Sequence, residues 1–221
     1  GNPPLMDAAK RNVFILAACQ TLYMSGTSLM ITTSPLIGDL LAEDKRWATL
    51  PLAFHHCGVM AATIPASQLM RQIGRRNGFM LGTLFGMAGA GIAGLAILEA
   101  WFWVFALGVF IVGWFNGFAV FYRFAAADAA SPEFKAKAIS WVLTGGLFAA
   151  VLGPELAKHT KDLLTPVAYA GSYFALIGLY VANLLLVSQV KIPPLTAEEK
   201  ATSGRPLLQI LAQPKCMLAV S

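Results

Sequence analysis

Charge is what this sequence has least of. Of its 221 residues, 16 are Lys or Arg and 11 are Asp or Glu, 12% in all, against about 25% in an ordinary soluble domain. Hydrophobic residues make up 57% and the mean hydropathy is +0.65. So few charges cannot wet a globular surface, and so much apolar content excludes a disordered chain. Cysteine is also scarce. Cys19, Cys57 and Cys216 form no CxxC and no framework spacing, and they read as small buried hydrophobes. The phosphate-cradling GxxxxGK[ST] loop is missing, which excludes ATP drive within the chain, and so is the HExxH helix of zinc proteases. Ser25-Gly26 lacks the context of an intramembrane serine nucleophile, and His55 and His56 have no serine partner by spacing. The expectation is a protein that is not an enzyme and carries no cofactor.

Long apolar runs are abundant instead. A membrane helix needs about 20 mainly apolar residues, and six segments qualify: Asn12 to Leu41, Trp47 to Met70, Phe79 to Leu98, Trp101 to Phe124, Ala138 to Ala157 and Val167 to Val190. Backbone groups in lipid must be satisfied within the segment, so each span is a helix. The alternating dyad of a membrane barrel is absent. The fold class expected is an all-α membrane protein of six transmembrane helices over residues 1–190. The links carry Gly, Pro or charge, as in Glu43-Asp44-Lys45-Arg46 and Gly74-Arg75-Arg76-Asn77-Gly78.

With six spans the links alternate sides. Twelve Lys and Arg fall on one side, and four (Lys45, Arg46, Lys158 and Lys161) fall on the other. Basic residues mark the cytoplasmic face, so both ends are expected there, in a multi-pass protein of a bacterial inner membrane. The basic surplus is then an orientation signal, not a nucleic-acid patch, because no aromatic-basic interleaving accompanies it. Beyond Lys191-Ile192-Pro193-Pro194 the composition turns polar. Residues 191–216 read as a cytoplasmic linker and 217–221 as the start of a truncated seventh helix, which makes the chain a piece of a longer protein.

Three motif regions sit on particular spans. Ser67-Gln68-Leu69-Met70-Arg71-Gln72-Ile73-Gly74-Arg75-Arg76 resembles the loop between helices two and three of the major facilitator superfamily, Gly-x-Leu-x-Asp-Arg-x-Gly-Arg-Arg. Leu69, Gly74, Arg75 and Arg76 match, whereas Ser67 stands at the first glycine and Arg71 at the aspartate. Gly145-Gly146-Leu147-Phe148-Ala149-Ala150-Val151-Leu152-Gly153-Pro154 resembles the Gly-rich helix-five motif of the same superfamily. Pro154 gives no hydrogen bond to the Ala150 carbonyl and kinks the helix. The stretch from Phe115 through Tyr122-Arg123-Phe124-Ala125-Ala126-Ala127-Asp128 looks like helix four and its loop, without the intramembrane arginine of the proton-antiport branch. It is most similar to a bacterial branch that includes riboflavin and copper importers.

That resemblance implies the amino-terminal six-helix half of a twelve-helix secondary transporter, folded as two three-helix repeats with helices one and four facing a central cavity. The implied partners are a small-molecule or ion substrate, the lipid bilayer and a carboxy-terminal six-helix half. Gly74, Arg75, Arg76, Gly153 and Pro154 would serve conformational change. Polar groups at membrane depth face the bundle interior or a cavity, which makes Gln20, Tyr23, Met24, Thr27, Asn116, Arg123 and Thr144 candidates for the substrate cavity. Hydroxyls such as Thr27 and Thr144 also bond their own helix backbone, and Arg123 either snorkels to the headgroups or pairs with Asp128. Proton coupling would fall to the carboxy-terminal half or to Glu155. His56 and Met60, at i and i+4, could hold copper(I), but an interfacial histidine pair is the better reading. The function expected is movement of a small solute by alternating access. The alternatives are a noncatalytic assembly partner on a transporter fold and a copper(I) importer.

Overall fold

The computed structural model describes residues 3–192. The expected linker from Pro193 onward and the expected seventh-helix start at 217–221 lie outside the described residues. Among the described residues there is helix and no strand. Helix α1 is Pro3–Leu41, α2 Leu50–Ile73, α3 Arg75–Leu98, α4 Phe102–Ala119, α5 Tyr122–Ala129, α6 Lys135–Thr160 and α7 Ala170–Ser188, with a 3-10 turn at Lys45–Trp47 after α1.

Every expected span contains a helix, but two expectations change. The fourth span is divided, because the chain turns at Val120 and Phe121, where the Phe121 N–H bonds the Phe118 carbonyl and α5 sets off as a separate short helix. Among the described residues, five stretches are long and apolar enough to cross a membrane: Ala8–Leu41, Arg75–Leu98, Phe102–Ala129, Lys135–Thr160 and Ala170–Ser188. The second expected span, Trp47 to Met70, is α2, which has 24 residues and a length of about 36 Å, ample for a crossing. Its composition falls short because His55, His56, Gln68, Arg71 and Gln72 dilute its apolar residues.

Turn chemistry explains the sharp reversal between α2 and α3. Gly74 sits at φ +88°, a backbone conformation that side chains disfavour, and its carbonyl receives the Gly78 N–H at 3.0 Å. At the other end, the Asp44 carboxylate accepts from the Arg46 N–H at 3.0 Å and pairs with its guanidinium at 2.7 Å. That pairing holds the Asp44 carboxyl below the usual carboxylate range.

α1 packs along α6, α2 along α4, and α3 between α4 and α7. The α2–α4 approach is backbone on backbone. A Cβ on Gly113 would overlap the His55 carbonyl, and one on Gly58 would overlap the Phe110 carbonyl. Small residues are what allow helices to come this close in lipid. The interior is filled by Phe79, Phe105, Phe115, Phe118, Tyr122, Tyr173 and Tyr180, all essentially inaccessible.

The basic links share one end. Asn12 near the start of α1 clasps Lys191 after α7, donating to its carbonyl at 2.8 Å and accepting from its N–H at 3.2 Å. Arg75 at the start of α3 meets Asp128 at the end of α5 at 2.7 Å. At the opposite end, a cavity of about 600 Å3 opens between Leu41–Trp47 and Ala100–Val104, and Trp47 faces Trp103 at 6.4 Å.

Candidate functional site

The close α2–α4 contact brings three polar side chains together in an otherwise apolar interior. Asn116 on α4 is 2% exposed and His55 on α2 is 2% exposed. The Asn116 amide Nδ2 donates to Thr27 Oγ1 on α1 at 2.8 Å and lies 2.8 Å from His55 Nε2. The Thr27 hydroxyl in turn donates to the Tyr23 carbonyl at 3.1 Å. With the amide oriented so that Nδ2, which only donates, faces the ring, His55 Nε2 is the acceptor, and the matching tautomer carries its proton on Nδ1.

The node is incomplete. Asn116 Oδ1, His55 Nδ1 and the Gln20 Oε1 atom are buried, with no hydrogen-bond partner among the described residues. A buried acceptor left bare costs about 1–3 kcal/mol, so such a position calls for a donor from water or from a solute. Gln20 uses its nitrogen on Met24 Sδ at 3.1 Å. Tyr23 is half-buried beside this polar patch, edge-on to Phe115 at 6.3 Å and to Tyr122 at 6.2 Å.

Of the candidate cavity residues, Gln20, Tyr23, Met24 and Thr27 share α1, and Thr27 meets Asn116. Thr144 does not join them. It is exposed on α6, bonds the Ser140 carbonyl at 2.7 Å and lines an apolar groove with Phe14, Trp141 and Phe148. Arg123 is separated from Asn116 by the break between α4 and α5. Its guanidinium lies 4.9 Å from the Phe124 ring centroid, and it is Arg75 that pairs with Asp128. Of the motif residues, Gly74 makes the turn and Arg76 is exposed. Arg75 keeps Nη1 buried without a partner among the described residues. Gly153 sits on α1, where an added Cβ would lie 2.8 Å from the Ser25 carbonyl, with Pro154 next to it inside α6.

Glu155 pairs with His159 at 3.4 Å on the exposed surface. The copper pair is open to the outside. Met60 is 76% exposed, His56 Nδ1 is 2.9 Å from the Leu52 carbonyl, and no group of His, Cys, Asp and Glu among the described residues could hold a metal ion. Cys19 is buried as expected. Cys57 is exposed, because α2 turns His56 and Cys57 away from the side that packs His55 and Gly58 on α4.

His55 is the site residue that sequence reasoning set aside, as an interfacial histidine. Asn183 on α7 was also passed over. It donates to Thr83 Oγ1 at 3.0 Å and to the Tyr122 hydroxyl at 2.8 Å, joining α3, α5 and α7. A carboxamide in the middle of the apolar run Ala182-Asn183-Leu184 was the signal that could have found it.

No protein-family model matches the chain. Over 216 residues it is 39% identical to the riboflavin transporter RfnT of Brucella anthropi, a match that covers 97% of this chain and 54% of that protein. A second relative, the uncharacterized MFS-type transporter YdeG of Bacillus subtilis, is 26% identical over 191 residues, 84% of this chain and 44% of that protein. The chain spans about half the length of the curated relatives it matches. Transporter homologues and five apolar helices of spanning length make it an integral multi-pass membrane protein, and its homologues are transporters rather than enzymes.

Proposed function

We propose that the chain is the amino-terminal half of a secondary transporter that moves a small solute across a bacterial inner membrane by alternating access. The observation that carries the proposal is the incomplete polar node of Asn116, His55 and Thr27, buried between α1, α2 and α4 in a chain whose homologues are transporters. Buried polar groups without partners are costly in an apolar interior and mark solute or ion paths.

The packing supports two three-helix repeats, with α2 crossing the membrane as the second span and α4 continuing into α5. Exchanging α1–α2–α3 with α4–α6–α7 maps the α1–α6 contact onto the α4–α2 contact and leaves α3–α7 on the axis. The share of the relative covered, 54%, supports a half-length unit, and the order of the motif regions along the chain supports the amino-terminal one. A second six-helix half would pack on the exposed apolar faces, where Leu147 is 73% and Phe148 65% exposed on α6 and Met60 is 76% exposed on α2. The end shared by Lys10, Arg75 and Lys191 faces the cytoplasm under the positive-inside rule.

Riboflavin is the first solute to test, from the name of the 39% identical relative. Its ring imide and ribityl hydroxyls would supply the donors that Asn116 Oδ1 and Gln20 Oε1 lack. The experiment is uptake of radiolabelled riboflavin by the full-length protein in a bacterium that neither makes nor imports the vitamin. Saturable uptake that is lost in Asn116→Leu is expected. No uptake above the empty host, together with no riboflavin-dependent rise in the melting temperature of the purified protein, would remove riboflavin. The same null result with a panel of small solutes would leave a noncatalytic assembly partner.

A further inference from the structure

We infer that Asn116 is the specificity-determining residue of this buried polar node and that protonation of His55 reverses which end of its amide is left to face a solute. The inference rests on the carrier reading above and adds to it a chemical preference and its control. As the atoms stand, Asn116 Nδ2 is held by two acceptors, Thr27 Oγ1 and His55 Nε2, both at 2.8 Å. Its Oδ1 is therefore the atom left over, buried and without a partner among the described residues. In this state the site takes a solute that offers an N–H or O–H donor.

A proton added at His55 goes to Nε2, since Nδ1 already carries one. Nε2–H then faces Nδ2–H, two donors 2.8 Å apart, which cannot bond. The least rearrangement is rotation of the terminal amide by half a turn, a torsion with two broad wells. Oδ1 then accepts from His55 Nε2–H. Thr27 turns its hydroxyl from the Tyr23 carbonyl to Oδ1, and Nδ2 faces the solute as a donor. No backbone moves, and the only species consumed is the proton.

Few ionisable groups surround His55. On α2, His56 meets its ring edge-on at 5.1 Å, Cys57 follows, and Arg71 is at the far end. The packed helix α4 has no ionisable side chain along Phe102–Ala119. α3 has Arg75 and Arg76 only, at its start. α1 presents Tyr23 one turn before Thr27, with Cys19 further along and its charged residues toward its ends. No carboxylate from these helices lies opposite the imidazole to fix its charge permanently.

The test is nitrogen-15 NMR of histidine and asparagine side chains in the full-length protein in lipid nanodiscs. The His55 signal is assigned by its loss in His55→Gln or, should that variant fail to fold, by its shift in Asn116→Leu. In the alkaline form, a bare Nε2 and a protonated Nδ1 are expected. On acidification Nε2 should gain a proton, and the Asn116 amide signal should move over the same pH range. A solute bonding Asn116 through a donor should bind about tenfold more weakly in the acid form. The inference is overturned by an alkaline tautomer with the proton on Nε2, by an Asn116 signal unmoved across the titration, or by a His55 that stays neutral until the protein unfolds. None of these readings needs transport, so a negative riboflavin assay sinks the carrier reading alone.

Discussion

Two buried asparagines in this chain do the same thing with different consequences. Asn116 on α4 and Asn183 on α7 each use one amide nitrogen to bond two side chains from other helices, and each leaves a buried carbonyl oxygen bare among the described residues. The partners of Asn183 are the hydroxyls of Thr83 and Tyr122, with the Cys19 thiol 4.0 Å from its backbone carbonyl. Hydroxyls reorient but do not change charge near neutral pH. One partner of Asn116 is an imidazole, which can take up a proton where a hydroxyl cannot. An identical amide is therefore a fixed tie between α3, α5 and α7 and a reversible one between α1, α2 and α4.

Breaking the scaffold under the second node should have the largest effect. Gly113→Val places carbons into the His55 carbonyl and must push α2 off α4, a loss of about 3 kcal/mol. The expected result is little folded protein, measured by size-exclusion of detergent extracts. The next effect sharpens the contrast. Asn183→Leu removes two interhelical bonds worth about 1–3 kcal/mol together. It should lower the melting temperature while uptake per folded molecule stays near wild type. Asn116→Leu should show the reverse, with uptake down about tenfold or more and a smaller change in melting. Equal losses of uptake in the two variants would erase the distinction.

Tyr122→Phe removes one bond from the Asn183 node and should cost about 1 kcal/mol, with the pH dependence of uptake unchanged. His55→Gln should flatten that dependence. The smallest effect lies outside both nodes. Folding lowers the Asp44 carboxyl pKa through Arg46, so the stability it adds is present above the unfolded value, about 4, and is lost as pH falls through the lower folded one. Hydrogen exchange at the Arg46 N–H should quicken only in acid, with global melting unchanged.

Much of the architecture was legible from composition and runs of residues. The spans were readable because lipid solvates each segment by itself, and Gly74 because a left-handed turn needs a residue without a Cβ. The break after Ala119 was not legible, since Val120-Phe121 is as apolar as its surroundings and hydropathy does not register a local change of hydrogen-bond pattern. The candidate cavity was half legible. Gln20, Thr27 and Asn116 stood out as polar groups in apolar runs, whereas Thr144 stood out equally and faces outward on α6. Arg123 was expected either to snorkel or to pair with Asp128, five residues away, and the partner of Asp128 is Arg75, more than fifty residues earlier.

By itself the sequence determined that this chain lives in a bilayer, which segments form its long apolar helices, and which links are basic. Those properties depend on the transfer of each segment from water to lipid, a local quantity. Tertiary structure alone decided that His55, Thr27 and Asn116 meet, that His56 and Cys57 do not join them, and that Asn183 ties a different trio of helices. In lipid the outward and inward faces of a helix are both apolar, so no hydrophobic pattern sets its rotation. Close glycine contacts set it instead, and with it the polar atoms that face one another.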